Sequence, residues 1–284
     1  MKVASGIDLH SHSTASDGVL SPKAWAELAH ANGAELVALT DHDTVAGVAA
    51  ARAAAAAHGV AFVSGVEISV SFADETIHLV GLAIDETHPK LLAGLESVRT
   101  GRLRRAQAIA RELEACGFAG AWEGVVALAG SPQLISRAHF ARFLVATGRF
   151  RSVGEVFAHY LTRGKPGYVA HEWATLTDAV AWIRAAGGVA VLAHPGRYRL
   201  SEAQLAALLE DFVAVGGEAI EVVTSAHDAA QTERWARICR RYRLLASQGS
   251  DFHSPDESSW TLGQVRTCLP ADLEPVWNRL FSRR

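Results

Sequence analysis

Near its N-terminus the chain reads "GIDLHSHSTASDG", which spaces Asp8, His10 and His12 two apart and follows them with Asp17. Side chains of an extended strand alternate between faces, so Asp8, His10 and His12 project from one side into one small volume. Crowding carboxylates and imidazoles in this way is costly unless a cation sits among them. An isolated H-x-H is common in proteins that bind nothing, so the rest of the chain must add weight. It does: "TDHD" brings Asp41, His42 and Asp43, "GVEI" brings Glu67, "TIHLVG" brings His78, "AHPG" brings His194, and "SDFH" brings Asp251 and His253. His78 alone, within an apolar run, would read as a core histidine. As a set, these oxygen and nitrogen donors without sulfur suit Mn²⁺, Fe²⁺ or Zn²⁺ and exceed what one ion needs.

Two or three divalent ions held together lower the pKa of a shared water, orient its attack and offset charge on phosphoryl oxygens. Phosphate esters gain most from this, because their transition states concentrate negative charge, whereas an amide or lactone needs fewer ions. The expected nucleophile is a metal-bridging hydroxide, and no protein nucleophile is required. The leaving oxygen would take its proton from a metal-bound water or from an acid such as Asp8 or Asp43, between which the sequence does not decide.

The elements that must position these groups are strand-like runs at 3–9, 35–40, 60–68, 76–84, 188–193, 219–224 and 244–248, most of them separated by Ala-rich stretches of helical period. Strand–helix alternation predicts parallel strands with right-handed crossovers, in a barrel or an open doubly wound sheet. The C-terminal ends of such strands converge on one face, and six of the seven runs deliver histidine or carboxylate to it. The rhythm breaks between about 88 and 168, where helical patterns at 91–116, 137–147 and 153–162 occur without a convincing strand. The expected division is a barrel over 1–87 and 169–284 with a helical subdomain inserted at 88–168.

At 284 residues and 49% apolar content the chain can bury a substantial core. No leader-like segment and no run of 18 apolar residues is present, and the three cysteines lie far apart outside any C-x-x-C pattern. A cytoplasmic location away from membranes is expected, and no protein partner can be inferred. The net charge is −3, yet residues 99–165 hold eleven Lys or Arg against four Asp or Glu. In a helix through 99–113, Arg99 and Arg102 fall within or beside the stripe of Leu103, Ala106, Ile109, Ala110 and Leu113, and Arg105 lies on its flank. Guanidinium groups on a buried face need an anion, either a substrate phosphate or a nearby carboxylate. Arg137 and His139 in "SRAHFARF", Lys165 in a Gly-flanked loop, and Arg197 just after His194 are further phosphate-binding candidates.

The ordered motifs "DLHSHS…SDG", "TDHDT", "GVEIS", "IHLVG", "AHPGR" and "SDFH" resemble those of the polymerase and histidinol phosphatase (PHP) family. The resemblance implies an α/β fold, a distorted seven-stranded PHP barrel with a trinuclear metal centre. It implies His10, His12, Glu67 and Asp251 on one ion, Asp17, His42 and His253 on a second, and His78 and His194 on a third that shares Glu67. Two to three divalent ions are expected, Mn²⁺ ahead of Zn²⁺ or Fe²⁺. "RRAQAI", "SRAHFARFLV" and "TRGKPGYV" in the insertion are similar to the branch of 3′,5′-nucleoside bisphosphate phosphatases and 5′-to-3′ RNA-trimming enzymes. A nucleotide with more than one phosphate, or a short 5′-phosphorylated RNA, is the substrate this implies. The alternatives are a phosphatase for a small metabolite such as histidinol phosphate, which would need an acidic partner for the substrate amine, and a non-catalytic metal-stabilised module.

Overall fold

The computed structural model describes residues 6–129 and 131–280. Seven strands follow chain order around one sheet: β1 (Ile7–Asp8), β2 (Leu36–Leu39), β3 (Ala61–Phe72), β4 (Glu75–Leu82), β5 (Val189–Leu192), β6 (Ala219–Thr224) and β7 (Leu245–Gly249). β2, β5 and β6 are buried at every residue, as parallel strands covered on both faces must be. The ends of the sheet approach one another, since Leu9 N–H donates to the Gln248 carbonyl (3.1 Å) and Ser11 bridges to Phe252. The result is a nearly closed seven-stranded barrel ringed by helices.

The outer helices are set by local signals. In α1 (Pro22–Ala31) the Ser21 hydroxyl accepts from Ala24 N–H, Pro22 occupies the first turn, and Trp25, Ala26 and Ala29 face inward. In α9 (Ala229–Tyr242) Asp228 caps the start, the stripe Thr232, Trp235, Ala236 and Cys239 packs on the sheet, and Arg243 ends the helix at φ 54°. α2 (Val48–Ala57), α7 (Leu176–Ala185), α8 (Glu202–Ala214) and the short α10 (Val276–Leu280) complete the barrel's helices.

The expectation of uniformly parallel strands is corrected at β4, which runs antiparallel to both β3 and β5. β3 and β4 are joined by Ala73 and Asp74 alone, both at positive φ (47° and 63°), the left-handed backbone that a two-residue hairpin needs to match strand twist. So short a connection permits only antiparallel pairing. The first strand is also shorter than 3–9: residues 7–8 are paired, and 3–5 lie outside the described residues.

Between β4 and α7 the chain forms α3 (Pro89–Ala115), α4 (Ala121–Leu128), α5 (Arg137–Ala146) and α6 (Val153–Val156), the last continued by a π-helical turn over Phe157–Leu161. α4 is a helix that the hydrophobic pattern did not single out. α3 belongs to two cores: Leu91 and Leu95 join the barrel cluster with Val180 and Ile183, whereas Ile109 and Leu113 join a separate cluster with Phe140, Leu144 and Leu161. A Cβ on Gly94 would lie 2.3 Å from the Trp182 ring, so glycine there allows α3 to rest on α7. Arg142 of α5 ties this layer back to the barrel through Glu257 (2.7 and 2.8 Å) and the Asp17 carbonyl (2.6 Å).

Candidate active site

Glu67, fully buried in β3, is the hub of the strand ends. Its Oε1 lies 2.9 Å from His78 Nδ1 and 3.0 Å from His194 Nε2; its Oε2 lies 2.9 Å from His42 Nδ1 and 3.3 Å from both His10 Nε2 and His12 Nε2. Three groups have ligand atoms close enough to share a cation: His10, His12, Glu67 and Asp251; His12, Asp17, His42 and His253; and His42, Glu67 and His78. The first is the quartet the family resemblance implied. The second adds His12 to the expected trio, and the third holds His42 with His78, while His194 stands 3.3 Å from His78. β4 can contribute His78 because its reversal sets its N-terminal half beside the C-terminal end of β5, where Ala193 N–H donates to the His78 carbonyl.

These residues fit divalent cations on their own geometry. His10 Nε2, Asp17 Oδ1, His42 Nδ1 and Glu67 Oε2 are buried and, among the described residues, meet only other members of the cluster, in ion-pair contacts without hydrogen-bond geometry, an arrangement that a cation among them would satisfy. Burial would push the His12 imidazolium down, but Asp251 and Glu67 beside it raise its pKa to about 10. Burial likewise opposes charge on Glu67, and His42, His78 and His10 hold its carboxyl well below the usual range. The site therefore stabilises positive charge among its carboxylates, and metal loading must displace protons.

A second layer fixes the ligands. Glu221 of β6 takes His10 Nδ1 at 2.8 Å and accepts from His194 N–H at 2.5 Å, aiming His10 Nε2 at the cluster. This residue escaped the sequence reading; its signal was a single carboxylate within the apolar run "AIEVVT". Asp41 accepts from Ser13 N–H, Ser13 hydroxyl and Ser16 hydroxyl, which shapes the loop carrying Asp17. Asp43, His194 and Asp251 sit at positive φ (53°, 26° and 52°), so the strand ends hold strained backbone where the ligands turn in.

Neither acid proposed for the leaving group reaches the cavity. Asp8 is held by Ser250 N–H and hydroxyl and by Gly263 N–H, which lock the last strand to the first. Asp43 accepts from Ser69 and forms a buried ion pair with Arg102. The partner of Arg102 is thus a carboxylate of the protein.

A cavity of about 360 Å³ exposes Asp17, His42, Glu67, His78, His194, Asp251 and His253, and is also lined by Arg102, Arg105, Arg137, Arg197, Ser136, Phe157 and Trp173. Arg105 donates from Nε to the Val169 carbonyl (3.0 Å) and Arg137 from Nη1 to the Leu161 carbonyl (3.1 Å), and neither forms an ion pair with a carboxylate among the described residues. Burial, with Arg137 and Arg102 nearby, lowers the Arg105 pKa to about 9, and burial lowers that of Arg137. Both stay charged at neutral pH, and an anion in the cavity would relieve them. Ser136 and Ala138 line the same wall at the start of α5. Arg197 bridges to Asp251 (2.5 Å).

The other basic candidates lie elsewhere. Arg99 donates to the Asp43 carbonyl (2.9 Å) and pairs with Glu96, outside the cavity lining. His139 is buried as part of the α5 cap, its Nδ1 accepting from Ser136 N–H (3.1 Å). Lys165 is exposed and lines none of this cavity.

Residues 8–186 match the sequence profile of the PHP domain. A 3′,5′-nucleoside bisphosphate phosphatase from Chromobacterium violaceum is 48% identical over 98% of this chain and 97% of its own length. The 5′-3′ exoribonuclease Rnm of Escherichia coli is 44% identical over 95% of this chain and 92% of its own. Among solved structures, a Chromobacterium violaceum protein described as an amidohydrolase with bound sulfate and no metal superposes with a TM-score of 0.93 at 47% identity, covering 98% of this chain and 96% of that one.

Proposed function

The chain belongs to the PHP family, and from that premise we propose that it hydrolyses the 3′-phosphate of nucleoside 3′,5′-bisphosphates, and by the same geometry trims short 5′-phosphorylated RNA from its 5′ end. One observation carries this reading: a cation-binding cluster and two arginines without carboxylate partners line the same cavity. A substrate with one phosphate at each end of a nucleoside satisfies both.

In this reading the cluster holds two to three divalent ions, Mn²⁺ ahead of Zn²⁺ or Fe²⁺. His10, His12, Glu67 and Asp251 hold one, Asp17, His42 and His253 a second, and His78 and His194 a third that shares Glu67. Bound there, the ions supply water activation and charge neutralisation at the scissile phosphate. Arg197 stands beside Asp251 to orient an oxygen of that phosphate. Arg105, Arg137 and the start of α5 take the 5′-phosphate, so residues 88–168 act as the substrate-binding insertion. Phe157 and Trp173 give the nucleoside apolar wall. Cys116 and Cys239, which form no disulfide among the described residues, fit a cytoplasmic setting.

Histidinol phosphate fits less well, because its ammonium would meet an arginine wall. A neutral amide would leave both arginines without an anion, and a non-catalytic module would need no such wall at all. The test is phosphate release from Mn²⁺-loaded protein offered adenosine 3′,5′-bisphosphate, 5′-AMP, histidinol phosphate and a short 5′-phosphorylated RNA, with chromatography of the products. The expected product of the bisphosphate is 5′-AMP; dominant 3′-AMP would reverse the assignment of the two phosphate sites.

A further inference from the structure

Trp173 borders two cavities at once. With Thr76 it lines the active-site cavity and also a second one of about 450 Å³, whose walls include Arg163, Tyr168 and His171. The ring is fixed in place: its indole N–H donates to Thr76 Oγ1 (3.1 Å), and its backbone N–H donates to Ser71 Oγ (2.8 Å). The guanidinium carbons of Arg102 and Arg105 lie 4.9 and 5.2 Å from the ring centroid. An anion held by Arg105 therefore rests beside this ring. Beyond it the electrostatics change, because the second cavity is also lined by Asp74, Glu75 and Glu172.

We propose that Trp173 and Thr76 form a partition that closes the substrate site behind the 5′-phosphate, so that the enzyme accepts a terminal 5′-monophosphate and rejects a nucleotide extended at that phosphate. The inference rests on the functional reading above, in which Arg105 and Arg137 hold the 5′-phosphate. Two physical terms act together. The hydrogen-bonded indole blocks an added group sterically, and a further phosphate that passed it would meet carboxylates. The stacked indole also keeps the Arg105 guanidinium from swinging away.

The experiment compares adenosine 3′,5′-bisphosphate with its 5′-propyl ester, adenosine 3′-phosphate 5′-(propyl phosphate), and with 3′-AMP, on the Mn²⁺-loaded full chain. The wild type should lose about 100-fold in kcat/KM from bisphosphate to propyl ester, and Trp173→Ala should shrink that ratio by about tenfold or more. Trp173→Phe, which keeps a ring between the cavities, should hold the ratio closer to wild type than alanine does. Because each ratio compares two substrates on one preparation, partial loss of folded enzyme cancels. Should Trp173→Ala not fold, Thr76→Ala at the half-buried edge of the partition carries the test, with an expected shrinkage of about threefold. A wild type that hydrolyses the propyl ester as well as the bisphosphate, or an alanine variant with an unchanged ratio, overturns the partition. If wild type hydrolyses 3′-AMP as well as the bisphosphate, the 5′-phosphate is not anchored, and the functional reading itself fails.

Discussion

The two linings of the active-site cavity are built by opposite means. The cation-binding lining is assembled from the ends and middles of strands, with His10 held from behind by Glu221. The arginine lining stands on helices of the insertion, and its side chains are held by main-chain carbonyls and by stacking on Trp173 and Phe157. The first is placed by the backbone of the barrel, the second by side-chain packing within the insertion. Arg102 and Arg105 repeat the contrast one turn apart on α3, since Arg102 is neutralised by Asp43 and Arg105 is not.

Glu67→Gln should break the comparison at its strongest point. It removes charge from the carboxylate that faces His10, His12, His42, His78 and His194, and turnover should fall by about 10⁴-fold, about 5.5 kcal/mol. Elemental analysis of the loaded protein should show reduced metal content, and a variant with normal metal and turnover would remove Glu67 from the centre.

The two arginines sharpen it. Arg102→Ala leaves Asp43 buried and unpaired, and should cost about 3–5 kcal/mol of stability, read as a lower midpoint in chemical denaturation. Arg137→Ala should leave the midpoint nearly unchanged but raise KM for the bisphosphate about 10- to 150-fold, the loss of about 1.5–3 kcal/mol of charge-assisted hydrogen bonding, with little change for 3′-AMP. Equal behaviour of the two variants would erase the distinction between a structural and a substrate-facing arginine.

His139 gives a smaller, pH-dependent effect. Burial lowers its pKa to about 4 from the ordinary 6.5, so the unfolded chain takes up the proton first as pH falls. Its contribution is full above pH 6.5 and declines toward pH 4, by about 1.4 kcal/mol per pH unit within that window. His139→Gln, whose side-chain oxygen can still accept from Ser136 N–H, should show a correspondingly shallower decline in stability between pH 6 and pH 4.5; an unchanged slope would place the proton uptake elsewhere. Lys165→Ala, on the exposed return loop, should alter kcat/KM by no more than about twofold.

Most of the metal-type residues were legible in the sequence because they interrupt or end an apolar run, where an ionisable group has few structural excuses, and His12 and Asp17 because they crowd beside His10. Glu221 does the same in β6 but lacks a neighbouring histidine to draw attention to it. The direction of β4 was hidden for a local reason: the Ala73–Asp74 turn adopts left-handed backbone without the glycine or asparagine that ordinarily advertises it. Helical periodicity placed Arg102 on a face that needs an anion, yet its partner Asp43 is far away in sequence and is brought near only when α3 lies over the loop that follows β2. His139 illustrates the reverse difficulty, since a histidine beside an arginine suggests phosphate binding while the fold uses it to finish a helix cap.

Helix α3, with one end in the barrel core and the other in the insertion core, bears on how such enzymes could diversify. Its 27 residues make a rod of about 40 Å, and Arg102 and Arg105 lie near its middle. A recombination event that cut at residue 88 would carry Leu91 and Leu95 away with the foreign segment and leave a hole in the barrel's packing. One that cut after residue 115 would keep the barrel core, the half of the insertion core that α3 supplies and the arginine pair, while exchanging α4 to α6, which carry the rest of the insertion core with Arg137 and Phe157. A segment exchanged there must therefore bring its own half of the insertion core, while the packing of the barrel stays whole.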